Sequence, residues 1–266
     1  MGTVSNALSL LGFFNLQRPE IGLSDLARLS GMNKATVYRH MSELALRGFV
    51  EKSHGGTSYR LGPEVLRLAS LREAAVPLLS VAREMLARLS AATHETSHMS
   101  VVQGMRLNAI AHHYSTRHGT RVTMEDAEVL SFHGTASGLA ILAFSEAAFV
   151  DAVLARPLPV HTPHTETDPD RIRARLRGIR ASGVAQSVGG FEADVHSLAV
   201  PIFGPDRCPT GALAVAVPVA RMSDALARRA QAELTACAAD LTRRIGGFAP
   251  ETLPLQDTSA RSEMTG

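Results

Sequence analysis

The sequence predicts an α+β protein of two domains joined by a helix, and three observations support this prediction. The chain has 266 residues, more than one typical domain needs. Its beginning reads as short helices that end in a Gly-rich hairpin. From residue 95 the apolar residues alternate, whereas the preceding stretch has helical spacing. We therefore expect a small domain at 1–62, a linker helix at 63–76, a larger domain at 77–247 and a disordered tail at 248–266.

The composition excludes several classes of protein. No apolar run approaches the roughly 18 residues that a membrane helix needs, so we expect no membrane partner. The first residues lack the basic segment of a signal peptide. Only two cysteines occur, Cys208 and Cys237, which favours a reducing cytoplasm over a secreted disulfide framework. The formal net charge of +2 does not by itself indicate a nucleic-acid partner.

Local signals predict three helices in the first domain. Ser24 precedes an acidic first turn at Asp25 and is the expected N-cap of the second helix. Gly31 provides the turn to the next helix, because a residue without Cβ is least strained there. Asn33 is the expected N-cap of the third helix, and Gly48 ends it.

The third helix has one apolar and one polar face, as a DNA-recognition helix requires. Its apolar positions are Val37, Met41 and Leu44, and its polar positions are Lys34, Thr36, Arg39, His40 and Glu43. Strand-like runs at 49–52 and 58–61 then flank Gly55-Gly56, a dipeptide typical of a hairpin. A helix-turn-helix followed by such a hairpin predicts a winged helix-turn-helix that binds double-stranded DNA.

The alternative is that this polar face is an ordinary solvated surface with Arg39 as one of its arginines, but the hairpin favours DNA binding. Basic side chains would contact phosphates without reading sequence, while polar side chains of the third helix would read base edges. The expected phosphate contacts are Lys34, Arg47, Lys52 and Arg60, and the expected base-reading residues are Thr36, Arg39 and His40. Asn33 and Tyr59 complete the predicted DNA-binding set.

The rest of the chain predicts an antiparallel sheet flanked by helices. Pro77 interrupts a helical pattern that runs from 63 to 92, so we expect two helices that meet near residue 76. Alternating segments predict strands at 97–103, 107–113, 197–203 and 211–219. Helices are predicted at 134–155, at 168–181 with Asp168 as N-cap and Gly183 as stop, and at 223–245.

Several of these stretches match one known family. In the first domain they are residues 23–27, 33–41, 44–51 and Tyr59-Arg60-Leu61-Gly62-Pro63, of which the last is the most family-specific. In the second domain they are Glu95-Thr96 and residues 133–140, 197–203 and 211–218. Over about residues 3–246 the chain resembles the IclR-type regulators of bacterial metabolism.

The resemblance implies a GAF-like effector-binding domain, a homodimer formed through the first domain, and often a dimer of dimers. It also implies a small organic acid or related metabolite as effector. Leu139, where the family often has Lys, and the apolar Ala214 and Ala216 argue against transferring the identity of any one effector. The predicted effector-binding residues are Leu130, His133, Gly134, Thr135, Ala136, Ser137, Asp194, His196, Ser197, Ala214 and Ala216.

A helix that starts near Gly134 would point its free N–H groups at an anion, which is a general way to hold a carboxylate. The alternative for each of these polar residues is an ordinary capping or surface role. The alternative that the second domain serves only oligomerisation also stays open. The small residues from Gly134 to Gly138 nevertheless favour close approach of a ligand.

Enzymatic and metal chemistry receive little support. His94-Glu95-Thr96-Ser97-His98 fits the HExxH motif of zinc proteases, but that motif needs a helix, and this stretch leads into a predicted strand. A zinc site built from His112, His113, His133 or His196 is weaker than the interpretation that these are scattered surface histidines. We expect no metal and no required cofactor, and a hydrolase is the least favoured alternative.

The sequence therefore predicts a cytoplasmic transcriptional regulator, a repressor or an activator. It would bind an operator through its first domain and respond to a small metabolite bound in its second. A two-state mechanism is expected, in which the effector favours one arrangement of paired winged helices through the linker helix.

Overall fold

The computed structural model describes residues 2–15, 18–53, 55–75, 78–124 and 128–253. The chain forms two compact units, Met1–Pro77 and Leu78–Gly266. Among the described residues, none of the helices is both long and apolar enough to cross a membrane.

The first unit is a winged helix-turn-helix. Three helices and a small antiparallel sheet enclose one apolar core, which contains Leu10, Leu26 and Met41. The sheet has the strand order β1-β3-β2. The elements are α1 (Thr3–Leu11), β1 (Glu20–Gly22), α2 (Leu23–Ser30), α3 (Lys34–Leu46), β2 (Val50–Lys52), β3 (Ser58–Leu61) and α4 (Pro63–Ala75).

Two local features of this unit differ from the prediction. The wing has a third strand, β1, in which Glu20 pairs with Arg60 and Ile21 with Tyr59. Helix α2 begins directly after Gly22, so the prediction that Ser24 caps it is wrong. Gly22 is extended and ends the short strand, and the chain turns into the helix there instead of two residues later.

Helix α4 lies in the segment 63–76, where the sequence predicts a helix. It begins at Pro63, a residue whose ring is suited to the first turn of a helix, and it is described as far as Ala75. Its side chains Leu66 and Leu71 are exposed. Positions 76 and 77, where the proline break is expected, lie outside the described residues.

The second unit has a six-stranded antiparallel sheet with helices on both faces. The strand order is β6-β5-β4-β9-β8-β7. Its strands are β4 (Thr96–Gln103), β5 (Arg106–His113), β6 (Val129–Leu130), β7 (Ala185–Val188), β8 (Val195–Phe203) and β9 (Pro209–Pro218). Its helices are α5 (Leu78–Thr93), α6 (Ala136–Phe144), α7 (Ala147–Leu154), α8 (Pro169–Ser182) and α9 (Asp224–Arg244), with a 3₁₀ turn at Val219–Arg221.

The two faces of this sheet carry different side chains because successive strand residues point to opposite sides. One face packs against α5 and α9 and carries large residues such as Met99 and Leu213. The other packs against α6 and α8 and carries small ones, including Ala199, Ala212 and Ala214. The small residues let α6 lie close to the sheet.

Three boundaries in the second unit differ from the prediction. The predicted helix at 134–155 is two helices, since extended backbone at Ser145 and Glu146 separates α6 from α7. Strands β6 and β7 were not predicted. Part of the predicted tail is packed: Phe248 N–H donates to Gly204 O at 3.1 Å, and residues up to 253 contact the α6 core. Positions 254–266 lie outside the described residues.

Candidate DNA-binding surface and effector cavity

Helix α3 presents its polar face to solvent. The Asn33 side chain accepts a hydrogen bond from Thr36 N–H at 2.8 Å, which confirms the predicted N-cap. Gly31 adopts a left-handed conformation, with φ of 68°, where the chain turns between α2 and α3. Lys34 and Arg39 are exposed and Thr36 is half-buried, so the first turns of α3 can be reached from outside.

Two residues of the predicted DNA-binding set belong to the core instead. His40 is only 4% exposed, because it follows Val37 by three residues and lies on the packing face of α3. Tyr59 is 4% exposed, because alternation along β3 turns it inward, and this burial raises the pKa of its phenol. Tyr38 was not predicted, yet it is 53% exposed on the outer face of α3. Its position follows from helical spacing with Lys34.

The basic residues of the wing are not equivalent. Arg47 and Lys52 are exposed. Arg60 Nε donates to Glu51 Oε1 at 2.7 Å across the β2–β3 pair, with both side chains solvent-exposed. An exposed pair of this kind contributes little stability, about 0–1 kcal/mol, but it neutralises the charge of Arg60. A phosphate contact by Arg60 would have to compete with Glu51.

In the second unit, a cavity lies between the sheet and the N-terminus of α6. Six of the predicted effector-binding residues line it: Leu130, Thr135, Ala136, Ser137, Ser197 and Ala216. Other lining residues, which the sequence reasoning missed, are His98, Val122, Met124, Glu128, Ser187, Gly190, Phe191, Glu192 and Val195. These residues come from separate strands and loops, so no single stretch of sequence marks the cavity.

Two predicted residues hold the loop before α6 and do not line the cavity. His133 lies with its Nδ1 2.9 Å from Ser131 Oγ and its Nε2 3.0 Å from Pro159 O, so both ring nitrogens have partners. Gly134 packs against Gly190, whose carbonyl oxygen would be 3.0 Å from a Cβ at Gly134. Their predicted role as direct effector contacts therefore does not match their positions.

The other three predicted residues also lie outside the cavity lining. His196 Nε2 is 3.3 Å from Gln186 Oε1, on the β7–β8 pair. Asp194 is exposed, and its carbonyl accepts from Val219 N–H at 2.7 Å. Ala214 is fully buried in β9 as the strand partner of His98. Alternation along β8 turns Ser197 toward the cavity and His196 away from it. Ala214 lies on the same sheet face as Ala216 but is part of the core beneath α6.

His98 is the most unusual polar residue of the cavity. It is 6% exposed, and burial together with the nearby His112 lowers its pKa to about 4, so the ring is neutral near pH 7. Its Nε2 lies 3.3 Å from Ser137 Oγ. Its Nδ1 is buried and has no hydrogen-bond partner among the described residues. His98 belongs to strand β4, and His94 before it has left-handed backbone, so the HExxH stretch does not form the protease helix.

The start of α6 is open toward the cavity. The Thr135 side chain accepts a hydrogen bond from Gly138 N–H at 3.0 Å and caps the helix. The N–H groups of Ala136 and Ser137 precede the first intrahelical bonds, and both residues line the cavity. Gly138 is required where α6 meets the preceding chain, since a Cβ there would lie 2.3 Å from the Cα of Phe132.

Two loops close the cavity from the sides. Thr96 Oγ1 donates to Val122 O at 2.7 Å, and the Tyr114 hydroxyl bonds both the N–H and the carbonyl of Met124. These contacts hold Val122 and Met124 against the cavity. These specific hydrogen bonds therefore tie the loop with Val122 and Met124 to β4 and to the residue that follows β5.

The second loop carries Glu192. Ser187 Oγ donates to Gly134 O at 2.7 Å, and a Cβ at Gly190 would lie 2.6 Å from the same carbonyl oxygen. These close contacts hold the loop against the start of α6. Partial burial, and then the carboxylate of Asp194, raise the pKa of Glu192 above its ordinary value.

Comparisons with known proteins agree with both units. The model of the IclR helix-turn-helix domain matches residues 3–54, and the model of the bacterial transcriptional regulator IclR C-terminal domain matches residues 73–243. The chain is 26% identical over 255 residues to the HTH-type transcriptional regulator XynR of Escherichia coli (strain K12), covering 92% of this chain and 97% of that one. It is 29% identical to the glycerol operon regulatory protein of Streptomyces coelicolor, covering 76% and 79% respectively.

A crystal structure from Silicibacter sp. TM1040, described as an IclR transcriptional regulator, superposes with a TM-score of 0.92 at 61% identity. The match covers 96% of this chain and all of that one. These relatives are transcriptional regulators and not enzymes, which sets the hydrolase alternative aside. The chain belongs to the IclR family of bacterial transcriptional regulators.

Proposed function

We propose that this regulator binds one operator sequence through α3 and the wing, and that a small organic acid in the second-unit cavity changes its affinity for that operator. The observation that carries the effector half is His98, a buried polar side chain whose Nδ1 lacks a partner at the wall of a cavity. Buried polar atoms of folded proteins nearly always have partners, so a ligand is the natural source of the missing bond.

On the DNA side, α3 would lie in the major groove with its first turns at the base edges. Arg39 is the strongest candidate for reading a base, because it is exposed and its guanidinium can contact guanine through two hydrogen bonds. Thr36, one turn before Arg39, and the exposed Tyr38 lie on either side of it around the helix. Lys34, Arg47 and Lys52 would bind phosphates, which contributes affinity that falls with salt but carries no sequence information.

On the effector side, the carboxylate would lie at the N-terminus of α6. There the N–H groups of Ala136 and Ser137 and the Ser137 hydroxyl are available to an anion. A structural relative from Microbacterium hydrocarbonoxydans, 24% identical with a TM-score of 0.73, was crystallised with 4-hydroxybenzoate. That complex supports a small organic acid as the class of effector in this fold.

We further propose that the chain acts in the cytoplasm as a homodimer joined through its first unit, with a dimer of dimers as the larger assembly. Exposed leucines and valine on α1 and α4 support an apolar contact between copies: Val4, Leu8, Leu66 and Leu71. A two-fold dimer predicts an operator with two inverted half-sites. Light scattering of the purified chain measures the assembly directly.

The test is a binding titration of the purified chain against its own upstream DNA and a scrambled control, each at low and high salt. Tighter, saturable binding to the native fragment supports the proposal. Arg39→Ala should weaken native-site binding by about 1–3 kcal/mol and reduce discrimination against the scrambled fragment. Arg228→Ala, which removes an exposed arginine from α9, is the matched control and should leave both affinities unchanged. Equal, steeply salt-dependent binding to both fragments would contradict sequence-specific recognition.

The same titration tests effector control. Small acids that raise the thermal stability of the chain should also shift its operator affinity, because a ligand changes an equilibrium only when it binds one state better. If no ligand that stabilises the chain changes its operator affinity, effector control of DNA binding is contradicted.

A further inference from the structure

Two buried side-chain atoms without a hydrogen-bond partner lie on one strand, two residues apart. Among the described residues they are Nδ1 of His98 and Oγ of Ser100. Both residues belong to β4, and their cross-strand partners in β9 are Ala214 and Ala212. These alanines are part of the core beneath α6, and cross-strand partners share a face of the sheet. Both unpartnered atoms therefore belong to the sheet face that α6 covers.

The spacing of the two residues suits one shared partner. Residues two apart on a strand are separated by about 6.5 Å along it. An oxygen atom between two hydrogen-bonding atoms, at about 2.8 Å from each, spans nearly this distance. Along β9, the row with Ala212 and Ser100 follows the row with Ala214 and His98, which follows the cavity-lining Ala216. A ligand that reaches from the cavity past His98 therefore meets both atoms.

The proton on the His98 ring decides what this ligand has to offer. The function proposed above uses the Ser137 hydroxyl as a donor to the effector carboxylate. That hydroxyl then has no second proton for His98 Nε2, 3.3 Å away, so Nε2–H has to donate to the Ser137 oxygen. A neutral imidazole carries one proton, so Nδ1 is left as an acceptor. The ligand has to supply a donor to Nδ1.

A hydroxyl group satisfies both unpartnered atoms, because it donates to Nδ1 of His98 and accepts from the hydroxyl of Ser100. An oxo group has only lone pairs, which would face the lone pair of Nδ1. An ammonium group donates to Nδ1 but has no lone pair for Ser100. With a hydroxy acid the hydrogen bonds run in one direction, from Ser100 through the ligand hydroxyl, His98 and Ser137 to the carboxylate, and such chains strengthen each bond.

The charge and size of the cavity restrict the rest of the molecule. Among the lining residues that the structure describes there is no lysine or arginine, so nothing there would compensate a second carboxylate. The cavity has a volume of about 50 Å³, whereas an apolar cavity that holds benzene measures about 150 Å³. A short aliphatic chain with one carboxylate therefore needs far less widening of the cavity than an aromatic acid.

Building on the effector role proposed above, we infer that the effector is a short aliphatic hydroxy acid. Its carboxylate binds Ser137 and the start of α6, and its hydroxyl group binds between His98 and Ser100. Ser100, although it does not line the cavity, is the residue that distinguishes a hydroxy acid from the parent acid.

The experiment compares matched acids on the full chain by calorimetry and thermal shift. One set is propionate, lactate and pyruvate, and the other is butyrate, 3-hydroxybutyrate and acetoacetate. At least one hydroxy acid should bind at least about tenfold more tightly than its parent acid and its oxo acid, because only the hydroxyl group pairs both buried atoms. Ser100→Ala should remove most of this preference and leave the affinity for the parent acid unchanged.

Ser97→Ala is the matched control, since Ser97 is a buried serine of β4 whose hydroxyl donates to Leu86 O on the other side of the sheet. It should keep the preference for the hydroxy acid. Without ligand, Ser97→Ala should melt at a lower temperature than the native chain, because it loses a hydrogen bond. Ser100→Ala should not, because the hydroxyl it removes has no partner.

Three results would overturn the inference: a parent or oxo acid that binds as tightly as its hydroxy acid, two sets in which no hydroxy acid binds, or a Ser100→Ala chain that keeps the full preference. A melting temperature of Ser100→Ala as low as that of Ser97→Ala would also overturn it, since Ser100 would then have a partner in the folded chain. None of these results changes the operator titration. Equal binding to upstream and scrambled DNA would contradict the proposed function and leave the comparison of acids as it is.

Discussion

Replacing His98 by leucine should make the folded chain less sensitive to acid. The ring is neutral when buried, with a pKa of about 4, whereas the ordinary value for histidine is 6.5. Protons therefore bind the unfolded chain more readily than the folded one between these two values. The contribution of His98 to the free energy of unfolding is complete well above pH 6.5, falls as the pH drops through this range, and is lost by about pH 4.

The size of this effect follows from the two pKa values. A difference of one unit corresponds to about 1.4 kcal/mol of differential stability between the two protonation states. Between about pH 7.5 and about pH 5, linkage then predicts a loss of about 2 kcal/mol from this single group. His98→Leu has no proton to bind at this position, so its free energy of unfolding should fall by about 2 kcal/mol less over the same interval.

Urea unfolding of both chains at the two pH values measures this difference. The chain has no tryptophan, so circular dichroism is the suitable signal. His113→Leu is the matched control, because it removes an exposed imidazole from the neighbouring strand β5 and should keep the acid sensitivity of the native chain. Equal losses of stability in the native chain and in His98→Leu would refute the buried, neutral state of His98.

Two further predictions concern the scaffold of the cavity. Gly138→Ala places a Cβ 2.3 Å from Phe132 Cα and should cost about 1–3 kcal/mol, whereas Gly178→Ala in α8 meets no atom within 4 Å and should stabilise the helix by about 0.5–1 kcal/mol. Thermal unfolding compares the two variants, and equal melting temperatures would contradict the close packing of α6. Arg221→Ala leaves Glu95, which is 2% exposed, without the guanidinium that bonds both its oxygens at 2.5 and 2.6 Å. The free energy of unfolding should fall by about 3–5 kcal/mol, and a loss below about 1 kcal/mol would mean that the pair behaves as an exposed one.

Local features were predicted well because their causes lie within a few residues. Asn33 caps α3 and Asp168 caps α8 through bonds to N–H groups two or three residues later. Gly31 and Gly183 end helices in the left-handed conformation that residues without Cβ adopt easily. The Gly-rich hairpin of the wing is equally local. These signals were sufficient for the fold class and, through the motifs they form, for the family.

One error in the first unit arises at the boundary between the two faces of α3. Histidine suits either side of an amphipathic helix, so the pattern of α3 did not decide whether His40 faces solvent or core. The packing of α3 against α1 and α2 decides it, and Tyr38 occupies the exposed position instead. Strand β1 was missed for a different reason: it forms by pairing with β3, which lies almost forty residues later in the chain.

For this protein, the sequence alone determined the fold class, the winged helix, the family and the segment at the start of α6. Periodicity, capping and turn chemistry are short-range, so they can be read along the chain. Only the tertiary structure decided which polar groups share the cavity. His98 comes from β4, Ser137 from α6 and Glu192 from a loop before β8, and only the packing of the sheet against α6 brings them together. The burial that keeps His98 neutral and its Nδ1 without a partner is likewise a property of that packing.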